Sequence, residues 1–143
     1  MDTLEPVRAI FTKAPFVAGL GIEPTAVREG RCETTMTLKK GHLQHTGQVH
    51  AGVVTTLADH TAGAAAQSML PEGLFVITAE LKISLLRATR GKTLICRAEV
   101  IKAGRALMFT EAEVFSREDK EAQPTLVAKL SATMAVVQMS RGK

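Results

Sequence analysis

At 143 residues, 45% of them apolar, the chain suits one domain with its own hydrophobic core, and it contains no unbroken apolar run of transmembrane length. The formal charge of +4 is spread along a chain with no Tyr, no Trp and only five scattered Phe, which argues against nucleic-acid binding and fits a small polyanion, such as one carrying phosphates, better. The two cysteines, Cys32 and Cys96, stand far apart in strand-like segments without metal spacing, and Met1–Pro6 lacks the basic start and apolar run of a secretory signal. Both features point to reduced thiols in an intracellular, cytoplasmic protein.

The spacing predicts a short amphipathic helix over about 3–14, with Thr3 as N-cap and Leu4, Val7, Ile10, Phe11 and Ala14 as its apolar stripe, ended by Pro15. A strand region follows from about Ile22 to Leu38, broken by a turn near Glu29-Gly30-Arg31. Lys39–Gln48 is a polar loop rich in histidine. From about Gly52 to Met69 the pattern becomes a helix that is small or apolar nearly all round, which indicates burial, and Pro71-Glu72-Gly73 stops it. Four strands come next. Phe75, Ile77, Ala79, Leu81, Ile83 and Leu85 alternate with Val76, Thr78, Glu80, Lys82 and Ser84 in a period of two, and Arg90-Gly91-Lys92 is a turn. Leu94–Ile101 and Met108–Val114 alternate likewise across a hairpin at Ala103-Gly104-Arg105, and Ala128–Val136 follows a charged loop. The tail beyond Gln138 is expected to be disordered. Short hairpins make the last strands neighbours. One small-residue helix cannot cover both faces of a sheet, so the expected architecture is α+β, a curved antiparallel sheet wrapped round a long central helix in a single domain.

Asp59 is the one acid in that buried helix, and burying it requires a partner, a boundary position or a chemical use. At about 100° per residue, Gly52, Thr55, Thr56, Ala62, Gly63 and Ala66 share its face, while Val53, Val54, Leu57, Ala64 and Ala65 lie opposite. Only small side chains surround the carboxylate, which leaves room for another backbone, helix or ligand. The helix start, His50-Ala51-Gly52, offers unpaired N–H groups and a partial positive charge suited to a carbonyl oxygen that becomes negative. Asp59 could serve as base or nucleophile. Ala51 and Asp59 are eight residues apart, about 12 Å along a helix, too far to serve one small group. A second copy of the helix, antiparallel and alongside, would bring the two together, so a two-fold homodimer with composite sites is expected. The alternative is a structural carboxylate at a subunit interface. His42, His45, His50 and Asp59 could be imagined as a metal set, but they lack the spacing of one. His60, about 100° round from Asp59, is expected as a satisfied interface histidine. Thr78 taken alone simply faces its side of a strand.

Gln44-x-x-Gly47-x-x-His50-Ala51-Gly52, followed by Asp59, resembles the hotdog-fold acyl-CoA thioesterases of the PaaI type, in the 4-hydroxybenzoyl-CoA thioesterase-like superfamily. Their usual form is Asn or Gln, then Gly, then His-Gly-Gly, then Asp or Glu on the central helix. Leu81–Ala88 is similar to their second-strand segment. The resemblance implies a hotdog fold, a homodimer and often a dimer of dimers, and hydrolysis of acyl-CoA with neither metal nor cofactor, coenzyme A being part of the substrate. By position it implies Asp59 as catalytic carboxylate, the Ala51 N–H as carbonyl polariser, and Gln44 against the thioester or its water. It implies Thr78 as a hydroxyl that helps hold that water, and His50 as a shaper of the helix start, with Gly52 beside it. Ala51 replaces the first Gly of His-Gly-Gly, and alanine keeps the N–H. For the phosphates of coenzyme A the nearest basic candidates are Arg87, Arg90 and Lys92, whose charges could equally be solvated. Two other functions fit the same fold: a non-catalytic acyl-CoA-binding protein, and an enoyl-CoA hydratase or dehydratase using His50 or His60 with Asp59.

Overall fold

The computed structural model describes residues 4–138; Thr3 and the tail at 139–143 lie outside the described residues. Helix α1 (Leu4–Thr12) turns Val7 and Phe11 inward, 2% and 1% exposed, in keeping with the predicted stripe. α1 ends before Pro15, as expected, but Pro15 opens a second helix that was not expected, α2 (Pro15–Leu20). At the first helical position its missing N–H has no partner to lose. Gly21 ends α2 in the left-handed region, with φ +79°.

β1 (Glu23–Arg28) and β2 (Arg31–Thr37) form a hairpin, and a short 3-10 turn (Lys40–His42) leads towards the central helix α3 (Ala51–Gln67). β3 (Leu74–Leu85), β4 (Thr93–Ala103), β5 (Leu107–Arg117) and β6 (Thr125–Gln138) complete one antiparallel sheet of order β1-β2-β4-β5-β6-β3. β4, β5 and β6 are successive neighbours, as their short connections require. β3 is not: residues 86–92 carry the chain from the β3 edge back to the middle of the sheet.

α3 lies across the sheet with Leu57, Ala58, Ala62, Ala64, Ala65 and Ala66 all 0% exposed. The alanines let the helix sit close to the sheet, against Met36, Leu94, Met108, Leu130 and Met134, each at most 1% exposed. Every such large side chain contributes about 1.5–3 kcal/mol by leaving water. The threonines deep in this layer are satisfied: Thr61 Oγ1 donates to the Leu57 carbonyl at 2.7 Å and lies 2.7 Å from Thr34 Oγ1, and Thr110 Oγ1 donates to the Ala132 carbonyl at 3.0 Å. Ala62 and Ala66 were expected on the roomy face beside Asp59, but both are fully buried. The partly open stripe of α3 is instead Gly52, Thr55, Thr56, Asp59, His60, Gly63 and Gln67.

The uniform alternation expected in β3 is broken once. Thr78 pairs with Met134 and Glu80 with Thr133, which leaves Ala79 as a bulge. Val76 and Thr78 therefore face α3, and beyond the bulge Leu81, Ile83 and Leu85 take over that side opposite Ala132, Leu130 and Ala128. The far face of the sheet is charged, with Arg97 bonded to Glu33 at 2.9 Å and Arg31 near Glu99 at 3.7 Å. These exposed pairs contribute at most about 1 kcal/mol each. Two cavities, of about 410 and 330 Å³, open on that far face, and neither is lined by Asp59 or by the start of α3.

Candidate active site

The loop before α3 is a small closed hairpin. Leu43 bridges Val49, Gln44 N–H donates to Gln48 O at 2.8 Å, and Gly47 N–H donates back to Gln44 O at 3.0 Å. Gly47 has φ +86°, a turn that suits glycine. Two histidines fasten this loop. His42, 5% exposed, accepts the Lys39 N–H at Nδ1, and its carbonyl accepts the His50 N–H at 2.9 Å. His50 is the N-cap of α3 and accepts the Gly52 N–H at Nδ1, 2.8 Å away.

That cap corrects the reading of Gly52. Its amide is bonded to His50 and is not free for a ligand. A Cβ at position 52 would meet His50 Nδ1 at 3.0 Å, so the glycine makes room for the cap. The Ala51 N–H has no acceptor among the described residues and opens outward from the helix start, where the positive end of the backbone dipole lies.

Two turns along, Asp59 is half-buried, and Thr78 Oγ1 donates to its Oδ1 at 2.7 Å. The same hydroxyl lies 3.4 Å from Met134 Sδ, and its single proton belongs on the carboxylate, the stronger acceptor. Thr78 and Asp59 are thus brought together across the helix–sheet layer, whereas Ala51 and Asp59 remain about 12 Å apart along α3. Gln44 is half-buried on the loop. Arg87, Arg90 and Lys92 are exposed on the segment after β3. Thr89 O of that segment accepts the Val49 N–H at 3.2 Å, which ties it to the loop beside the helix start.

His60 is only partly satisfied among the described residues. Its ring stands edge-on to Phe11 of α1, centroids 4.6 Å apart, and bonds to the Ile10 carbonyl, but Nε2 is buried without a partner among the described residues. Burial pushes its pKa below the ordinary 6.5, against the upward pull of Asp59 and of that carbonyl. Below 6.5 the unfolded chain takes up a proton that folded His60 resists, so stability is lost as the pH falls through this range. The urea midpoint is expected to fall between about pH 7 and about pH 5, and to fall less in His60→Gln. Equal slopes for both proteins would remove His60 as a source of acid sensitivity. Cys32 and Cys96, 1% and 0% exposed, face the core, and burial pushes both thiols up to about 12.

Residues 46–123 match the family model of the thioesterase superfamily. A Haemophilus influenzae protein named "Putative esterase" is 30% identical over 118 residues, 82% of this chain and 85% of that one. The crystal structure of a thioesterase family protein from Silicibacter pomeroyi superposes with a TM-score of 0.87 at 32% identity, covering 93% of this chain and 96% of that one. A thioesterase crystal structure from Haemophilus influenzae gives 0.83 at 27% identity over 99% and 95%. The chain belongs to the thioesterase superfamily and has its hotdog fold. The general chemistry of that family is hydrolysis of a thioester.

Proposed function

We propose that the protein hydrolyses acyl-CoA thioesters at a site shared between two copies of the chain. The observation that carries this reading is the pair of half-sites on α3: a free amide at Ala51, and a Thr78-bonded carboxylate two turns on. Antiparallel packing of two α3 helices through the stripe Gly52, Thr55, Thr56 and Gly63 sets Asp59 of one copy against the helix start of the other. The exposed edge of β3, where Leu81 and Leu85 are 39% and 50% exposed, adds apolar surface beside that stripe.

In this arrangement the Ala51 N–H polarises the thioester carbonyl and stabilises the oxyanion. Asp59 either takes a proton from an attacking water or attacks the carbonyl carbon itself. The second route expels the thiolate of coenzyme A and leaves an anhydride for water to open. Gln44 and Thr78 hold the thioester and the water, and Arg87, Arg90 and Lys92 meet the phosphates. The hydratase alternative lacks support, because the His60 ring packs edge-on against Phe11 with its Nε2 buried and His50 Nδ1 is bonded to Gly52. A free-thiol assay over aliphatic and aryl CoA thioesters tests the reading, with enoyl-CoA hydration followed in parallel. Release of coenzyme A above the uncatalysed rate supports it. Binding measured by calorimetry without turnover would replace it with the acyl-CoA-binding alternative.

A further inference from the structure

The free edge of β3 is closed at one place by a side chain of α3. Gln67 Nε2 donates to the Leu74 carbonyl at 2.9 Å, and Gln67 Oε1 accepts the Val76 N–H at 3.2 Å. Leu74 and Val76 are two residues apart, so both groups point to the same side of the strand. A carboxamide offers a donor and an acceptor as a peptide group does, so Gln67 takes the place of a neighbouring strand there. Two residues further along β3, Thr78 donates to Asp59, which lies two turns back along α3. The Ala79 bulge follows at once and breaks the register with β6. Residues 74–78 are therefore a short block fastened to α3 at two points, just before the bulge at Ala79 shifts the register of its pairing with β6.

We propose that Gln67 is a positioning residue: by pinning Leu74 and Val76 it sets where β3 lies along α3, and so keeps the Thr78 hydroxyl on Asp59. The proposal rests on the reading of Asp59 as the reacting carboxylate. Gln67→Leu removes both bonds at similar size. Gln67→Glu keeps the acceptor for Val76 but turns a carboxylate oxygen on the Leu74 carbonyl.

Each variant, normalised to folded protein, is expected to lower kcat for acyl-CoA hydrolysis about three- to tenfold with KM unchanged. The deciding measurement is a double-mutant cycle with Thr78→Val. If Gln67 acts through Thr78, adding either Gln67 variant to Thr78→Val changes kcat by less than about 1.5-fold. The same fold loss in both backgrounds overturns the proposal and leaves Gln67 a strut of the fold. Native kcat in Thr78→Val alone would instead remove Thr78 from the chemistry, and the reading of the site with it.

Discussion

Asp59→Asn is expected to lower kcat for thioester hydrolysis about a thousandfold, the range lost when a general base or nucleophile is removed. Asparagine matches aspartate in size and keeps an oxygen for the Thr78 hydroxyl, so the 2.7 Å bond across the helix–sheet layer survives in neutral form. What disappears is the group that can accept a proton or attack a carbonyl carbon. The variant should therefore melt close to the native protein while turning over almost no substrate. Turnover within about threefold of native, with the fold intact, would leave Asp59 only the structural role of a bonded carboxylate.

The second large effect separates the two half-sites. Ala51→Pro deletes one N–H and little else. Position 51 is the first residue of α3, where proline is favoured, and His50 already has φ −63° and ψ 137°, the extended backbone that a following proline requires. The cap from Gly52 to His50 and the bond from Thr55 Oγ1 to the Ala51 carbonyl do not use the deleted proton. Loss of that single oxyanion donor is expected to lower kcat about 100- to 1,000-fold. The informative measurement is the mixture. In the proposed shared site, a dimer of one Asp59→Asn chain and one Ala51→Pro chain would set the carboxylate of the second against the amide of the first and restore one intact site. Random pairing of equal amounts makes half the dimers mixed, so about a quarter of native activity returns from two nearly inactive proteins. Mixed dimers that form but regain nothing would place both groups of each site in one chain, contrary to the spacing along α3.

Much of this was legible in the chain because it rests on local rules. The period of α3, its stop at Pro71-Glu72-Gly73 and the hairpin at Gly104 are short-range signals, and they located the helix that carries Asp59. The distance between Ala51 and Asp59 follows from helix rise alone. The misreadings come from non-local or silent features. Ala79 is an ordinary strand residue whose extra place shows only against β6, so Leu81, Ile83 and Leu85 were put on the same face as Phe75 and Ile77. Gly52 reads as a free amide in the sequence because histidine is an uncommon cap. Helix α2 was missed although its signal was present, a proline at the start and Gly21 at the end. Gln67 carries no local sign of its role, since the strand it pins enters the sheet seven residues later.

The placement of the two thiols has a practical consequence. With both thiols pushed up to about 12 by burial, almost none of either is ionised at pH 8 in the folded state. Ellman's reagent is a disulfide that exchanges with a released thiol product and with any accessible protein thiol alike. This chain offers none while folded: Ellman's reagent added to the native protein should show no protein signal, and all colour in an assay should come from product. On unfolding in urea the same reagent should count two equivalents per chain, for Cys32 and Cys96. One colour reaction therefore measures turnover in the native protein and loss of structure in the denatured one, without any label being introduced.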